Sequence, residues 1–345
     1  MKADALMLSV YFGDAVTAGP ELSSDALMAC FADHGLASVT LLRGIEGFGL
    51  NRRIQAERIP DASTDLPLLA VAADRRERIM AVLDDVDLAV PQRLVTLEEA
   101  RLATGEDVRD AELPQGASGA AQLTIHCDSG ERRGRRPAYR EAVALLRRCG
   151  AVGATVLTGA DGLAQGKRRR VRLFSTGASA PALVVSVGPV DALRRSLQGL
   201  TEIFEEPVVT LEPIALLKHD GEPLEQPPTV AGAGDGERDA WQAIGLHMRR
   251  SAQVNGRALH SEVVLRLREA GAAGATTILG DWGFSGDERP YGDRLGRVTS
   301  HRPTYTVYVD RPGKVAELWP LIDELTAEHG IVSSLIVPGY REHVA

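Results

Sequence analysis

The stretch Gly35–Gly49 reads Gly-Leu-Ala-Ser-Val-Thr-Leu-Leu-Arg-Gly-Ile-Glu-Gly-Phe-Gly. A helix-stop glycine opens it and a short apolar strand follows. Three glycines, Gly44, Gly47 and Gly49, close it and read as a loop. The pattern returns twice. Gly150–Gly159 reads Gly-Ala-Val-Gly-Ala-Thr-Val-Leu-Thr-Gly, and Gly271–Gly280 reads Gly-Ala-Ala-Gly-Ala-Thr-Thr-Ile-Leu-Gly. The bounding glycines are 9 residues apart each time, and Thr40, Thr155 and Thr276 share one place. The copies start 115 and 121 residues apart, which is the signature of a threefold internal repeat.

Working outward, each repeat predicts the same order of elements. Repeat one runs strand Leu6–Phe12, helix Asp25–His34, strand Ser38–Leu42, the glycine loop, a hairpin arm Arg52–Ile59, strand Leu66–Ala72, a helix from Asp74 to about Leu88, and strand Leu94–Leu97. Leu27, Met28 and Phe31 recur at helical spacing, with Ser23 or Ser24 as the expected cap. Pro67, Pro181 and Pro303 stand just before the third strand of each repeat, where no ladder donor is lost. The order β-α-β-β-α-β predicts an α+β fold of three tandem ferredoxin-like units. The expected boundaries are 1–102, 121–218 and 240–345, joined by linkers 103–120 and 219–239 that lack apolar periodicity.

Composition narrows the class. The 345 residues are 44% hydrophobic and 25% charged, as in ordinary globular domains. A net charge of −8 argues against general nucleic-acid binding. Cys30, Cys127 and Cys149 are too few and scattered for a disulfide framework and read as buried thiols. Neither a signal peptide nor a membrane span is legible, so a cytoplasmic protein without membrane insertion is expected.

Leu-Leu-Arg-Gly-Ile-Glu-Gly-Phe-Gly at 41–49, after Val-Tyr-Phe-Gly-Asp at 10–14 and before Asp-Leu-Pro-Leu at 65–68, resembles the PII-like proteins of domain of unknown function family 190. Repeat three keeps Gly280-Asp-Trp-Gly-Phe-Ser-Gly286, and repeat two, Gly159-Ala-Asp-Gly-Leu-Ala-Gln-Gly166, has lost the aromatic residue. The resemblance implies units that trimerise, here within one chain as a pseudo-trimer. It implies small effectors, often adenine nucleotides, in the clefts between units. It also implies a loop between strands two and three that contacts a partner protein; PII relatives often act on membrane transporters or channels.

Four groups of residues are candidates for function. Gly44, Gly47 and Gly49 can form an anion-binding nest, with Arg43, Arg52 and Arg53 nearby to pair with phosphate and Phe48 within the loop; flexible turn glycines are the plain alternative. Gly280, Gly283 and Phe284 are the counterparts in repeat three. Lys167, Arg168, Arg169, Arg170 and Arg172, with Arg132, Arg133, Arg135 and Arg136, form either a polyanion site or a solvated face. Tyr11, His126 and His247 align on the first strands, as packing residues or, if they meet, as partial metal ligands. The segment Asp281–Val298, with Trp282, Phe284, Asp287, Glu288, Arg289, Tyr291, Asp293 and Arg294, suits a partner-docking loop or, equally, a partly disordered one.

No nucleophile motif, metalloprotease motif or paired catalytic carboxylate is legible, so no catalytic residue, metal or firm cofactor is expected. The leading expectation is a non-enzymatic regulator with a small anionic effector and a partner protein. An effector-free scaffold is the alternative, and an enzyme acting on a phosphorylated small molecule is a third.

Overall fold

The computed structural model describes residues 5–49, 52–56, 65–114, 119–164, 167–168, 179–226, 240–292 and 301–338. The first unit comprises β1 (Ala5–Gly13), α1 (Ser23–Asp33), β2 (Ser38–Phe48), β3 (Pro67–Arg75), α2 (Arg76–Ala89) and β4 (Leu94–Thr104). The second comprises β5 (Ala120–Asp128), α3 (Ala138–Cys149), β6 (Gly153–Thr158), β7 (Asp161–Ala164), β8 (Pro181–Pro189), α4 (Val190–Ile203) and β9 (Val208–His219). The third comprises β10 (Ala240–Arg249), α5 (Leu259–Glu269), β11 (Gly274–Leu279), β12 (Trp282–Ser285), β13 (Pro303–Asp310), α6 (Pro312–Leu325) and β14 (Ile331–Pro338).

Each unit is an antiparallel four-stranded sheet carrying two helices. The order is β2-β3-β1-β4 in the first, β6-β8-β5-β9 in the second and β11-β13-β10-β14 in the third. β3 and β8 are buried along eight of nine residues. Strands covered on both faces read as continuous apolar runs rather than alternating ones. One face carries helices that bury Leu27, Met28 and Phe31 of α1 against Ile79, Val82, Leu83 and Val86 of α2. Gly35, Gly150 and Gly271 end the first helix of each unit with φ of 61°, 92° and 81°, the left-handed turn glycine tolerates best. Ser23 is not a cap: it is the first helical residue, buried, and its hydroxyl has no partner.

The other face meets neighbouring units. Met7, Leu42, Leu69, Val71, Leu157, Leu183, Val185 and Ile278 form one apolar cluster drawn from all three. Strand pairing also crosses between units. The far half of β2 pairs with β11 (Gly47 opposite Thr276, Phe48 opposite Ala275). β7 pairs with β2 (Gly162 opposite Thr40), and β12 pairs with β6 (Gly283 opposite Thr155). β9 bridges β4 and β14, with Val208 opposite Thr104 and Ala215 opposite Ser334.

Two expectations change. The glycine segment after Leu42 is strand, not loop, because β2 continues to Phe48. The first linker is partly structured: a 3-10 turn at Gly105–Asp110 and Leu113 place Val108 and Leu113 in the core of the second unit. No helix among the described residues is long and apolar enough to cross a membrane.

Candidate ligand cleft between the first and third units

The repeat signature is a set of strand junctions. At Gly44 a Cβ would lie 2.7 Å from Pro67 Cγ and 3.1 Å from Thr276 Cγ2; at Gly47 it would lie 2.5 Å from the Ala275 carbonyl oxygen. At Gly159 it would lie 2.8 Å from Thr40 Cγ2, and at Gly162 2.1 Å from the Val39 oxygen and 2.7 Å from Pro181 Cγ. At Gly280 it would lie 2.7 Å from Thr155 Cγ2 and 2.8 Å from Pro303 Cγ, and at Gly283 2.3 Å from the Ala154 oxygen. Glycine, threonine and proline recur together because they meet where one unit crosses the next. Neither Gly44, Gly47 nor Gly49 has the positive φ a nest requires; close approach of strands accounts for Gly44 and Gly47, while a Cβ on Gly49 would meet open space.

Each crossing carries an apolar anchor into the neighbouring core. Phe48 joins the core of the third unit, Leu163 that of the first, and Trp282 and Phe284 that of the second. Leu163 therefore does in the second unit what an aromatic does in the others. Phe284 is 2% exposed and packs in the core of the second unit. The segment after Gly280 is likewise built inward: Arg140 stacks on the Trp282 ring at 4.3 Å and Arg249 on Tyr291 at 4.3 Å. Glu288 pairs with Arg249. Asp293 and Arg294 lie outside the described residues.

The basic run does not gather into one patch among the described residues. Arg168 donates to Asp161 at 2.7 Å and to Asp25 of the first unit at 3.0 Å. Arg136 pairs with Glu141 and Arg133 with Glu202. The Lys167 backbone pairs with Ala164, while Arg169, Arg170 and Arg172 are outside the described residues. Arg43 is half-exposed and bound to Asp14. Arg52 is exposed with φ 53°, and its carbonyl accepts from Arg268 at 2.7 Å; Arg53 is exposed.

A cleft of about 370 Å³ opens between the first and third units. Tyr11, Phe12, Phe48 and Trp241 give it an aromatic lining, and Asp65, Gln55, Gln92 and Arg93 give it polar groups. Gly49 and Gln55 on one side, and Asp65 and Pro67 on the other, bracket the segment that joins β2 to β3. Asp65 is held by the Ala15 amide at 2.8 Å and by the Gln55 side chain. Arg93 is 1% exposed. It pairs with Asp87 and donates to the Val90 carbonyl at 2.5 Å, while its Nε has no partner. Outside the cleft, Arg311 stacks on Trp241 at 4.3 Å.

The aligned residues Tyr11, His126 and His247 act differently at the three crossings. His126 Nδ1 lies 2.9 Å from Ser38 Oγ of the first unit, and His247 Nδ1 lies 3.0 Å from Thr155 Oγ1 of the second. Burial lowers His126 to about 4 and His247 to about 3, so both bridge as neutral rings. Ile331 also covers Gly153, within 2.3 Å of where a Cβ would stand. At the third crossing Tyr11 takes the histidine position, Gly274 takes that of Ser38, and the space stays open. Each histidine spends its Nδ1 on a different neighbour, in agreement with the packing reading.

Arg93, Trp241, Gln92 and Asp65 were not singled out from the sequence. A position-by-position alignment of the repeats holds the signal: Arg93 stands where the others have Pro207 and Gly330, and Trp241 where they have Ala5 and Ala120.

The model of domain of unknown function family 190, described as an uncharacterized ACR, matches residues 5–102, 120–216 and 241–337. The chain belongs to that family, as three tandem copies. Among solved structures, aspartate kinase from Synechocystis is similar at 12% identity with a TM-score of 0.28. That match takes in 98% of this chain, which spans about half (52%) of the kinase chain.

Proposed function

We propose that this family-190 chain is a PII-like regulatory protein whose three ferredoxin-like units close as an intramolecular pseudo-trimer. A small anionic effector, of which an adenine nucleotide is the leading class, occupies the cleft between the first and third units. Binding there changes the loop that joins β2 to β3, and a partner protein reads the change. A ligand drives such a change only through different affinities for the two states of the segment.

The observation that carries this reading is that one cleft touches both ends of that segment and is lined by Tyr11, Phe12, Phe48, Trp241 and Arg93, whose buried Nε has no partner. Its volume falls within the roughly 300–1,000 Å³ range of ligand sites. Planar rings suit Tyr11, Phe48 and Trp241, and an anionic group suits the Arg93 side better than the Asp65 side.

Thermal unfolding with adenine and guanine nucleotides, cyclic and dinucleotide forms included, with and without magnesium, tests it. A ligand at 100 times its Kd adds about 2.7 kcal/mol. The shift should vanish in Gly274→Val, where the added Cβ stands 3.3 Å from the Phe48 backbone oxygen, a tight contact to which the strand must yield slightly, and 3.7 Å from Gly49 Cα, and the γ-methyls take cleft volume. No shift with any nucleotide refutes the nucleotide class. A shift unchanged in Gly274→Val refutes the cleft. The scaffold reading has one observation in its favour: the glycine signature and the two histidine bridges serve contacts between units.

A further inference from the structure

The helical face of the first unit holds a second cluster, away from the cleft. Cys30 and His34 lie one helical turn apart at the end of α1, and Asp85 faces them from α2. Their ligand atoms all lie within 4.8 Å of one another. His34 Nε2 is 2.7 Å from Asp85 Oδ2, with side chains 30% and 54% exposed. We propose that Cys30, His34 and Asp85 form a site for a divalent zinc-type cation that clips α1 to α2.

Three arguments support the site. The donor set, one sulfur, one imidazole and one carboxylate, is the mixture borderline-soft Zn²⁺ accepts, with the fourth position left to water. Tetrahedral bonds of about 2.0–2.3 Å place ligand atoms roughly 3.5 Å apart, so rotamer adjustment alone closes the cluster. The site also lies at the C-terminal end of α1, where the helix dipole favours positive charge.

The other units use the same place differently. Leu145 stands at the Cys30 position and Gly199 at that of Asp85, and a Cβ on Gly199 would lie 2.6 Å from Leu145 Cδ2. The third unit has Arg266, Ala270 and Leu321 there. Two helices touch at this point in the second unit by apolar packing, whereas the first unit sets three ligating groups against one another.

The probe is Co²⁺ and then Zn²⁺ added to the full chain under reducing conditions. The expected result is one equivalent of Co²⁺ giving a thiolate-to-cobalt charge-transfer band, displaced by Zn²⁺ and lost in Cys30→Ser and in His34→Ala. Cys149→Ala should keep the band. Both cluster variants should retain the wild-type circular dichroism, which separates loss of ligand from loss of fold, and Asp85→Asn provides a milder third variant. A band that survives Cys30→Ser, or the lack of any band in the wild type, overturns the proposal. Neither outcome bears on the cleft, because none of the three residues lines it.

Discussion

Glu98→Gln should flatten the pH dependence of stability. Glu98 is 5% exposed on β4 and lines a cavity of about 60 Å³ among the three units, with Ser9, Gln122 and Thr124 beside it. Ser9 and Thr96 hydroxyls lie 3.4 Å from its Oε1, too far for strong bonds. Burial, then Glu212, raise its carboxyl from 4.5 to about 8. Glu212 is fully buried; burial raises it to about 7, although Gln122 donates to its Oε2 at 3.0 Å. Tyr11 and Tyr305 also face the pair, and both phenols are raised by burial, so they stay neutral. The folded chain therefore holds protons that the unfolded chain releases near 4.5. Stability is full below that pH and is lost as pH rises through about 8, the reverse of an ion-paired carboxylate.

At about 1.36 kcal/mol for each pH unit over which only the folded form is protonated, Glu98 accounts for roughly 3 kcal/mol between pH 5.5 and 9. At about 2.1 cal/mol/K per residue, cooperative unfolding of the whole chain converts this to a Tm fall of about 4 °C. Glutamine keeps the size and cannot ionise, so the variant should match the wild type at pH 5.5 and exceed it at pH 9. Protons leave the coupled pair rather than either residue, so Glu212→Gln should remove part of the same slope and the double variant nearly all of it. Glu99→Gln on the exposed side of the strand is the control, because Glu99 is 60% exposed. Calorimetric scans across that pH range measure the slope. A wild-type slope retained in Glu98→Gln would refute the argument.

Three further predictions concern the crossings. Gly162→Val drives its Cβ onto the Val39 carbonyl oxygen, 2.1 Å away, and should cost about 1–3 kcal/mol or split unfolding into more than one transition, as seen by calorimetry. An unchanged single transition would mean that β7 does not tie the first and second units. Phe48→Ala removes a 2%-exposed ring that the first unit sets into the core of the third, and should cost about 3–5 kcal/mol in a denaturant melt. Leu163→Ala should cost less, about 2–5 kcal/mol, since a smaller side chain is withdrawn from the same kind of junction.

The repeat, the family and the order of helices and strands were legible because they rest on local patterns: apolar periodicity, helix-stop glycines and prolines at strand starts. The role of the glycines was not. A glycine in a turn and a glycine under a crossing strand look alike in one dimension, and only the partner strand, supplied by another repeat, separates them. For the same reason Trp282, Phe284 and Tyr291 read as docking residues when their partners are Arg140, the second unit's core and Arg249. Cys30 and His34 show the spacing of a helical ligand pair, but Asp85 is distant in sequence, and nothing local connects it to them.

Fusing three copies into one chain changes what selection can do at the crossings. In an assembly of identical subunits, any residue that closes one cleft closes all three, and any residue that opens one opens all. Here the same seam is written three ways: Ser38 with His126, Thr155 with His247 under Ile331, and Tyr11 with Gly274. The first two use short neutral bridges that fill the seam and bind neighbouring units. The third replaces the bridging imidazole by a phenol, with Gly274 at the place of Gly153 and Thr276 at that of Thr155, and adds Trp241 and Arg93 where the other repeats have alanine and Pro207 or Gly330. Enlarging a wall residue while deleting the seam's contacts is not the pattern of decay, which would leave a collapsed or uniformly shortened lining. It accords with the effector cleft proposed above, while the two histidine bridges tie neighbouring units together.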